Sequence, residues 1–283
     1  MPTSPGTGVR FITTDFWKVF TMKKLMAFDV DGTLFVNGEI SRENAQAIKR
    51  WQDAGNLAVC STGKSLFAAK KTFEGSGIEF DYFVLFTGAV VTRGDEEVLF
   101  EKSLPKDVVA EVVERLVQYD NISVFATDID SDYELHNPLA QSSHMLLNFV
   151  PLKVEELAER DIIGIPIQVA DDALRADIHR WLTEEYAGQL EAHLNQDFID
   201  IVPANCDKST GLRWLDENVF ADEQIETYSI GDSWNDLPMH AWAQHSASFN
   251  YSPQDVKDAT ETVVEHSWEY INSALGESGA KDA

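Results

Sequence analysis

Leu25-Met26-Ala27-Phe28 is an apolar run that ends abruptly in Asp29-Val30-Asp31-Gly32. A short run of this kind, without alternation, suits a strand buried on both faces, as in a parallel sheet covered by helices. Residues two apart on an extended segment project to the same side, so Asp29 and Asp31 converge beyond the strand's carboxyl end. In open α/β sheets that end faces the ligand crevice. Gly32 then lets the chain turn sharply beside a ligand. One carboxylate there can attack phosphorus while its neighbour handles the proton. Acids at a strand end also serve simply as turn formers; the preceding strand and the following Thr33-Leu34 argue against that reading here.

Downstream, the pattern alternates. Asn37-Gly38 marks a small hairpin over Leu34 to Ile40, and Ser41 caps a helix to about Ala54 that Gly55 closes. Leu57 to Ser61 reads as a second strand, Lys64 to Phe73 as a helix and Tyr82 to Phe86 as a third strand. After Gly88 the character changes. Val98 to Phe100 and Ile122 to Ala126 read as strands flanking a helix over Lys106 to Gln118. A polar stretch from Asp128 to Ser143 precedes a strand over Ile162 to Val169 and a helix over Asp171 to Tyr186. The β–α alternation resumes from Thr210 onward. The expectation is an α/β fold: a doubly wound, Rossmann-like, mostly parallel sheet (22–88 and 200–275) interrupted by an inserted α+β cap (89–199). Residues 1–21 read as a poorly ordered extension upstream of an alternative start at Met22, and 276–283 as a frayed tail.

The chain has 48 acidic against 22 basic residues, a formal net charge of −26. That balance repels phosphate backbones and anionic lipid, which argues against nucleic acid and membrane partners. No run approaches the roughly 20 apolar residues of a spanning helix, and the N-terminus has no signal-peptide core. Two cysteines make no disulfide framework; Cys60 lies in an apolar run and Cys206 in a polar loop, where a free thiol is expected. A reducing, cytoplasmic setting follows. An anionic substrate would then need positive potential made locally, by a metal ion and one or two placed lysines.

Further motifs follow in order. Ser61-Thr62-Gly63 ends the second strand, where a hydroxyl and adjacent N–H groups can hold phosphate oxygens. Lys208 opens a helix after a loop, and Gly231-Asp232-Ser233-Trp234-Asn235-Asp236 ends a later strand. With Asp29-Val30-Asp31-Gly32-Thr33-Leu34, these resemble the four motifs of the haloacid dehalogenase superfamily of phosphohydrolases over roughly Met22 to Leu275. The insertion between the second and third motifs is similar to the Cof-like branch. The resemblance implies Asp29 as nucleophile and Asp31 as general acid, then base. It implies Mg²⁺ on the carboxylates of Asp29 and Asp232 and the backbone carbonyl of Asp31. Thr62, Gly63, Lys208, Asn235 and the N–H of Val30 would bind the phosphoryl group, while Asp236 orients metal waters or Lys208. The implied substrate is a small phosphorylated metabolite, a sugar phosphate foremost.

Lys64 replaces a common arginine, Ser209 a glycine, Thr87 the usual asparagine of Asn-Gly-Ala, and Phe249-Asn250-Tyr251 a glycine-containing stretch. None removes a group the chemistry requires. Trp51, Trp214 and Trp242 are expected to face the core, and Trp234 to wall the site or pack a helix. His136-Asn137-Pro138 reads as a solvated loop, with contact to the substrate as the lesser alternative, and His240 and His245 lack metal-ligand spacing. Two other functions stay open: a phosphosugar mutase, which would isomerise a hexose 1-phosphate without releasing phosphate, and a non-catalytic sensor. Cap hinges are expected near Gly88 and Pro203. The sequence carries no signature of oligomeric state.

Overall fold

The computed structural model describes residues 22–138 and 149–277. The proposed N-terminal extension, the last residues of the polar stretch and most of the frayed tail lie outside the described residues. Strand β1 (Lys23–Phe28) leads through the hairpin β2 (Phe35–Val36) and β3 (Glu39–Ile40) to helix α1 (Arg42–Asp53), then β4 (Leu57–Ser61), α2 (Leu66–Phe73) and β5 (Tyr82–Leu85). Next come β6 (Val90–Arg93), β7 (Val98–Glu101), α3 (Lys106–Leu116), β8 (Ser123–Thr127), β9 (Asp132–His136), β10 (Val150–Pro151) and β11 (Ile165–Gln168). Then α4 (Asp172–Glu185), β12 (Leu190–Asn195), β13 (Phe198–Pro203), α5 (Lys208–Asn218), β14 (Ile225–Ile230) and α6 (Leu237–Trp242) follow. The chain finishes with β15 (His245–Phe249), α7 (Gln254–Asp258), β16 (Thr262–Val264) and α8 (Ser267–Leu275).

The large sheet has the order β16-β15-β14-β1-β4-β5-β6-β7, parallel from β16 through β5. The chain winds outward from β1 through β4 and β5, then returns to build β14, β15 and β16 on the other side. β1 and β14 therefore flank the point where the winding reverses, and the crevice beyond their carboxyl ends is where such sheets hold ligands. Both faces are covered, which is why Leu25, Met26, Ala27 and Phe28 are all fully buried.

Residues 90–101, read from sequence as the start of the insert, instead form the antiparallel edge of the large sheet. Val84 faces Val91 and Leu85 faces Val90 after a tight turn at Phe86–Gly88. Gly88 thus lies within the large sheet's edge rather than at a crossing, and a Cβ on it would overlap the Asp207 carbonyl. The chain leaves the large sheet after Glu101. It returns after β13, whose whole length pairs in the second sheet, β10-β9-β8-β11-β13-β12. The two passages are tied by Lys102 Nζ, which donates to the Ala204 carbonyl at 2.6 Å. Among the described residues three apolar cores result: one around Trp51, Phe28 and Phe80, one around Leu25, Val59 and Leu212 on the other face of the large sheet, and one around α3, β8 and β11.

Local readings hold with small shifts. Ser41 accepts from the Asn44 N–H at 3.1 Å, and Asn37 and Gly38 take the positive φ of a tight hairpin turn. Trp51 is fully buried, whereas Trp214 and Trp242 are partly covered. Cys206, expected as a free thiol in a polar loop, is free but fully buried, folded inward by the turn before α5. His136 Nε2 bonds the Tyr119 carbonyl at 2.9 Å, so it belongs to a strand rather than a solvated loop. No described helix is long and apolar enough to cross a membrane.

Candidate active site

Three strand ends of the large sheet and the start of α5 bring the motif residues together. Asp29 follows β1, held by its N–H to the Ile230 carbonyl at 3.0 Å. Asp232 follows β14, so the pairing of β1 with β14 alone sets these carboxylates side by side. Gly32, with φ +86°, is required at the turn: a Cβ there would lie 2.5 Å from Asp232 Oδ2. The carboxylates of Asp29, Asp232 and Asp236 each offer an oxygen within 4.8 Å of the others.

Lys208 is the positive centre. Asp207 caps α5 by accepting from the N–H groups of Ser209 and Thr210. The Ser209 hydroxyl also donates to Asp207, so the departure from glycine there adds a capping bond. Lys208 is thereby aimed inward and fully buried, its Nζ donating to Asp29 Oδ1 at 2.6 Å and Asp236 Oδ1 at 2.5 Å. Burial pulls the ammonium's pKa down, but Asp236 and Asp29 more than reverse this and hold it charged. The second oxygen of Asp236 accepts from the N–H groups of Asp232 and Ser233 at 2.9 and 3.0 Å. With both oxygens engaged, Asp236 orients the lysine and the loop.

One ammonium does not balance three acids. Burial, then Asp29 and Asp236, push the Asp232 carboxyl up to about 8. Burial raises Asp29 as well, against the pull of Lys208. Asp29 Oδ2 is buried and has no hydrogen-bond partner among the described residues. An all-oxygen donor set with an orphaned carboxylate oxygen fits a hard divalent cation such as Mg²⁺.

On the neighbouring strand end, Thr62 is buried and its hydroxyl accepts from the Lys64 N–H at 3.2 Å. Gly63 borders the second sheet so closely that a Cβ would lie 2.8 Å from Asp200 Oδ2. Lys64 Nζ pairs with Asp31 Oδ2 at 2.9 Å, the contact made by the residue standing in for arginine. Burial pushes the Asp31 carboxyl up, Lys64 opposing and Asp29 assisting. Asn235 is buried with its side-chain oxygen unpartnered among the described residues, and Val30 is fully buried. Trp234, expected against the site or a helix, is 43% exposed and donates to Asp255 at 2.9 Å.

Several neighbours were missed in the sequence. Ser65 Oγ donates to Asp132 Oδ2 on β9 at 2.7 Å, linking the two sheets. Asp200 on β13 faces Gly63, and a lone acid inside Phe198-Ile199-Asp200-Ile201-Val202 was the signal available for it. Thr87 holds φ 52° and ψ 42°, a left-handed conformation costly for a β-branched residue, which explains why asparagine is the commoner choice there. The Tyr251 hydroxyl donates to the Gly32 carbonyl, so the departure at Phe249-Asn250-Tyr251 braces the turn between the acids.

Residues 26–269 match the family described as haloacid dehalogenase-like hydrolase. The 5-amino-6-(5-phospho-D-ribitylamino)uracil phosphatase YitU of Bacillus subtilis is 25% identical over 235 residues, 79% of this chain and 85% of the relative. A HAD/COF-like hydrolase from Plasmodium vivax shares the fold with a TM-score of 0.78 at 20% identity, over 90% of this chain and 96% of that one. A HAD subclass IIB sugar phosphatase superposes with a TM-score of 0.75 at 16% identity, over 90% and 100% of the two chains. The chain belongs to the haloacid dehalogenase-like hydrolase family, as an enzyme of its phosphatase (phosphoric monoester hydrolase) kind.

Proposed function

We propose that this enzyme hydrolyses the monophosphate ester of a small metabolite, a sugar or polyol phosphate foremost, through an aspartyl-phosphate on Asp29. The observation that carries the reading is the buried Lys208 held between Asp29 and Asp236, with the other Asp29 oxygen unpartnered among the described residues. The lysine fixes the rotamer of the nucleophile and offers positive charge where phosphoryl oxygens would gather. Asp29 would attack phosphorus as the ester P–O bond breaks. Asp31, whose pKa is raised by burial, would give its proton to the departing alkoxide. Water would then attack the aspartyl-phosphate, return a proton to Asp31 and release the Asp29 carboxylate with inorganic phosphate. Thr62, Gly63, Asn235 and the N–H of Val30 line the remaining approaches to the phosphoryl group.

The Asp29 and Asp232 carboxylates, with the Asp31 carbonyl, would hold Mg²⁺, which when bound neutralises phosphate charge. The sugar-phosphate class is supported by the names of the two phosphatases compared above. Free, buried Cys60 and Cys206 accord with a reducing, cytoplasmic setting.

Phosphate release from a panel of sugar and polyol phosphates tests this. Asp29→Asn is expected to reduce turnover to background with an unchanged circular dichroism spectrum. Retained turnover in that variant would remove the nucleophile assignment. Chelation with EDTA should silence the wild type and excess Mg²⁺ restore it; Mg²⁺ should also raise the melting temperature of the wild type more than that of Asp232→Asn.

A further inference from the structure

The second sheet closes over the motif residues and leaves a cavity of about 60 Å³ between the two. Its floor is made by Asp31, Thr62, Gly63 and Lys64. Its roof carries four polar side chains of the second sheet: Thr127, Asp132, Asn195 and Asp200. A phosphoryl group seated on Asp29 and Thr62 would send its ester oxygen toward Asp31, so whatever the phosphate is attached to must extend toward this roof. The roof is therefore what the leaving alcohol meets.

Its chemistry is one-sided. Asp132 is only 7% exposed; Ser65 satisfies Oδ2, while Oδ1 is buried and without a partner among the described residues. Asp200 accepts from Asn195 Nδ2 at 3.2 Å through the oxygen that also borders Gly63. The only cationic side chain lining the cavity, among the described residues, is Lys64, and its ammonium is already engaged by Asp31 at 2.9 Å. An ionised carboxylate accepts hydrogen bonds and donates none. The roof thus offers acceptors to O–H and N–H groups and no counter-charge to an anion.

We propose that Asp132 and Asp200 are specificity residues that accept hydrogen bonds from a leaving alcohol rich in O–H or N–H donors and exclude substrates bearing a second anionic group. This deepens the phosphatase reading and rests on it. Burial pushes the Asp132 carboxyl up to about 6, Ser65 and Lys64 opposing and Asp128 adding to the rise, which fits an acid whose remaining partner comes with the ligand. Leaving such a group unpaired against a ligand without donors is the usual source of strong discrimination in enzyme pockets.

The test compares sorbitol 6-phosphate with 6-phosphogluconate, open-chain esters that differ at one end, alcohol against carboxylate. Wild-type kcat/KM is expected to favour the alcohol at least tenfold. Asp132→Asn and Asp200→Asn, each checked for a cooperative melt, should each shrink that ratio at least threefold. Equal or reversed preference in the wild type overturns the proposal, as does an unchanged ratio in both folded variants. Should the variants fail to fold, the wild-type ratio decides alone. Asp29-dependent release from p-nitrophenyl phosphate without discrimination between the pair would sink this inference and leave the phosphatase reading standing. Release from no ester, p-nitrophenyl phosphate included, would sink both.

Discussion

Lys208 holds two carboxylates with one ammonium in a fully buried setting, and its removal would leave Asp29 and Asp236 without counter-charge. Breaking a buried ion pair from one side costs about 3–5 kcal/mol. Lys208→Met is accordingly expected to lose turnover and to unfold at lower denaturant near pH 8, with a smaller deficit in acid where the carboxyls are protonated. Asp132 behaves differently. Burial pushes its carboxyl from the ordinary 3.8 up to about 6 in the folded protein. The native state therefore binds the proton more tightly, and stability must fall as pH rises between those values, fully so above them. The penalty amounts to at most about 3 kcal/mol. Asp132→Asn, which keeps an acceptor for Ser65, should gain stability over wild type as pH climbs from 4 to 7, and denaturant titrations across that range check it. Asp29, Asp31, Lys208 and Asp232 were legible in the sequence because each sits in a motif tied to a strand end or a helix start. Asp132 and Asp200 were not, since their partners Ser65 and Gly63 lie far along the chain and only packing of one sheet on the other brings them close.

At the scale of elements, α5 must lie flat on the large sheet for Lys208 to reach Asp29. Gly211 makes that approach possible: a Cβ there would sit 2.6 Å from Val84 Cγ1 on β5. Overpacking a rigid core costs about 1–3 kcal/mol, while the better helix propensity of alanine returns about 1. Gly211→Ala should therefore lower stability by up to about 2 kcal/mol and reduce kcat through displacement of the lysine, read by denaturant midpoint and steady-state kinetics together. The parallel strands β1, β4 and β14 were readable because burial on both faces leaves continuous apolar runs. β6 and β7 were assigned to the wrong sheet for a physical reason. An antiparallel edge pair has the same local pattern wherever it docks, and nothing in Val90 to Glu101 specifies which sheet it extends. The tight turn at Phe86–Gly88 decides that, through backbone angles that sequence discloses poorly.

For the whole molecule, charge is the dominant property. At −26 the protein repels the dianionic esters it is proposed to take, and the compensating lysines are buried rather than displayed. Salt should relieve that repulsion, since the screening length drops from about 30 Å at 0.01 M to about 8 Å at 0.15 M. kcat/KM for a monophosphate at fixed free Mg²⁺ is expected to rise several-fold over that range. A fall would mean that a positive funnel, not the net charge, governs encounter.

The two neighbouring passages, stitched by Lys102 to Ala204, have a consequence for descent. A segment whose ends emerge side by side can be replaced wholesale without moving the scaffold that receives it. The acids and lysine proposed to perform bond cleavage are all encoded outside that segment, while the roof residues are encoded within it. New substrate tastes can thus be acquired by exchange or drift of a single contiguous stretch of gene, with the cleavage apparatus inherited intact.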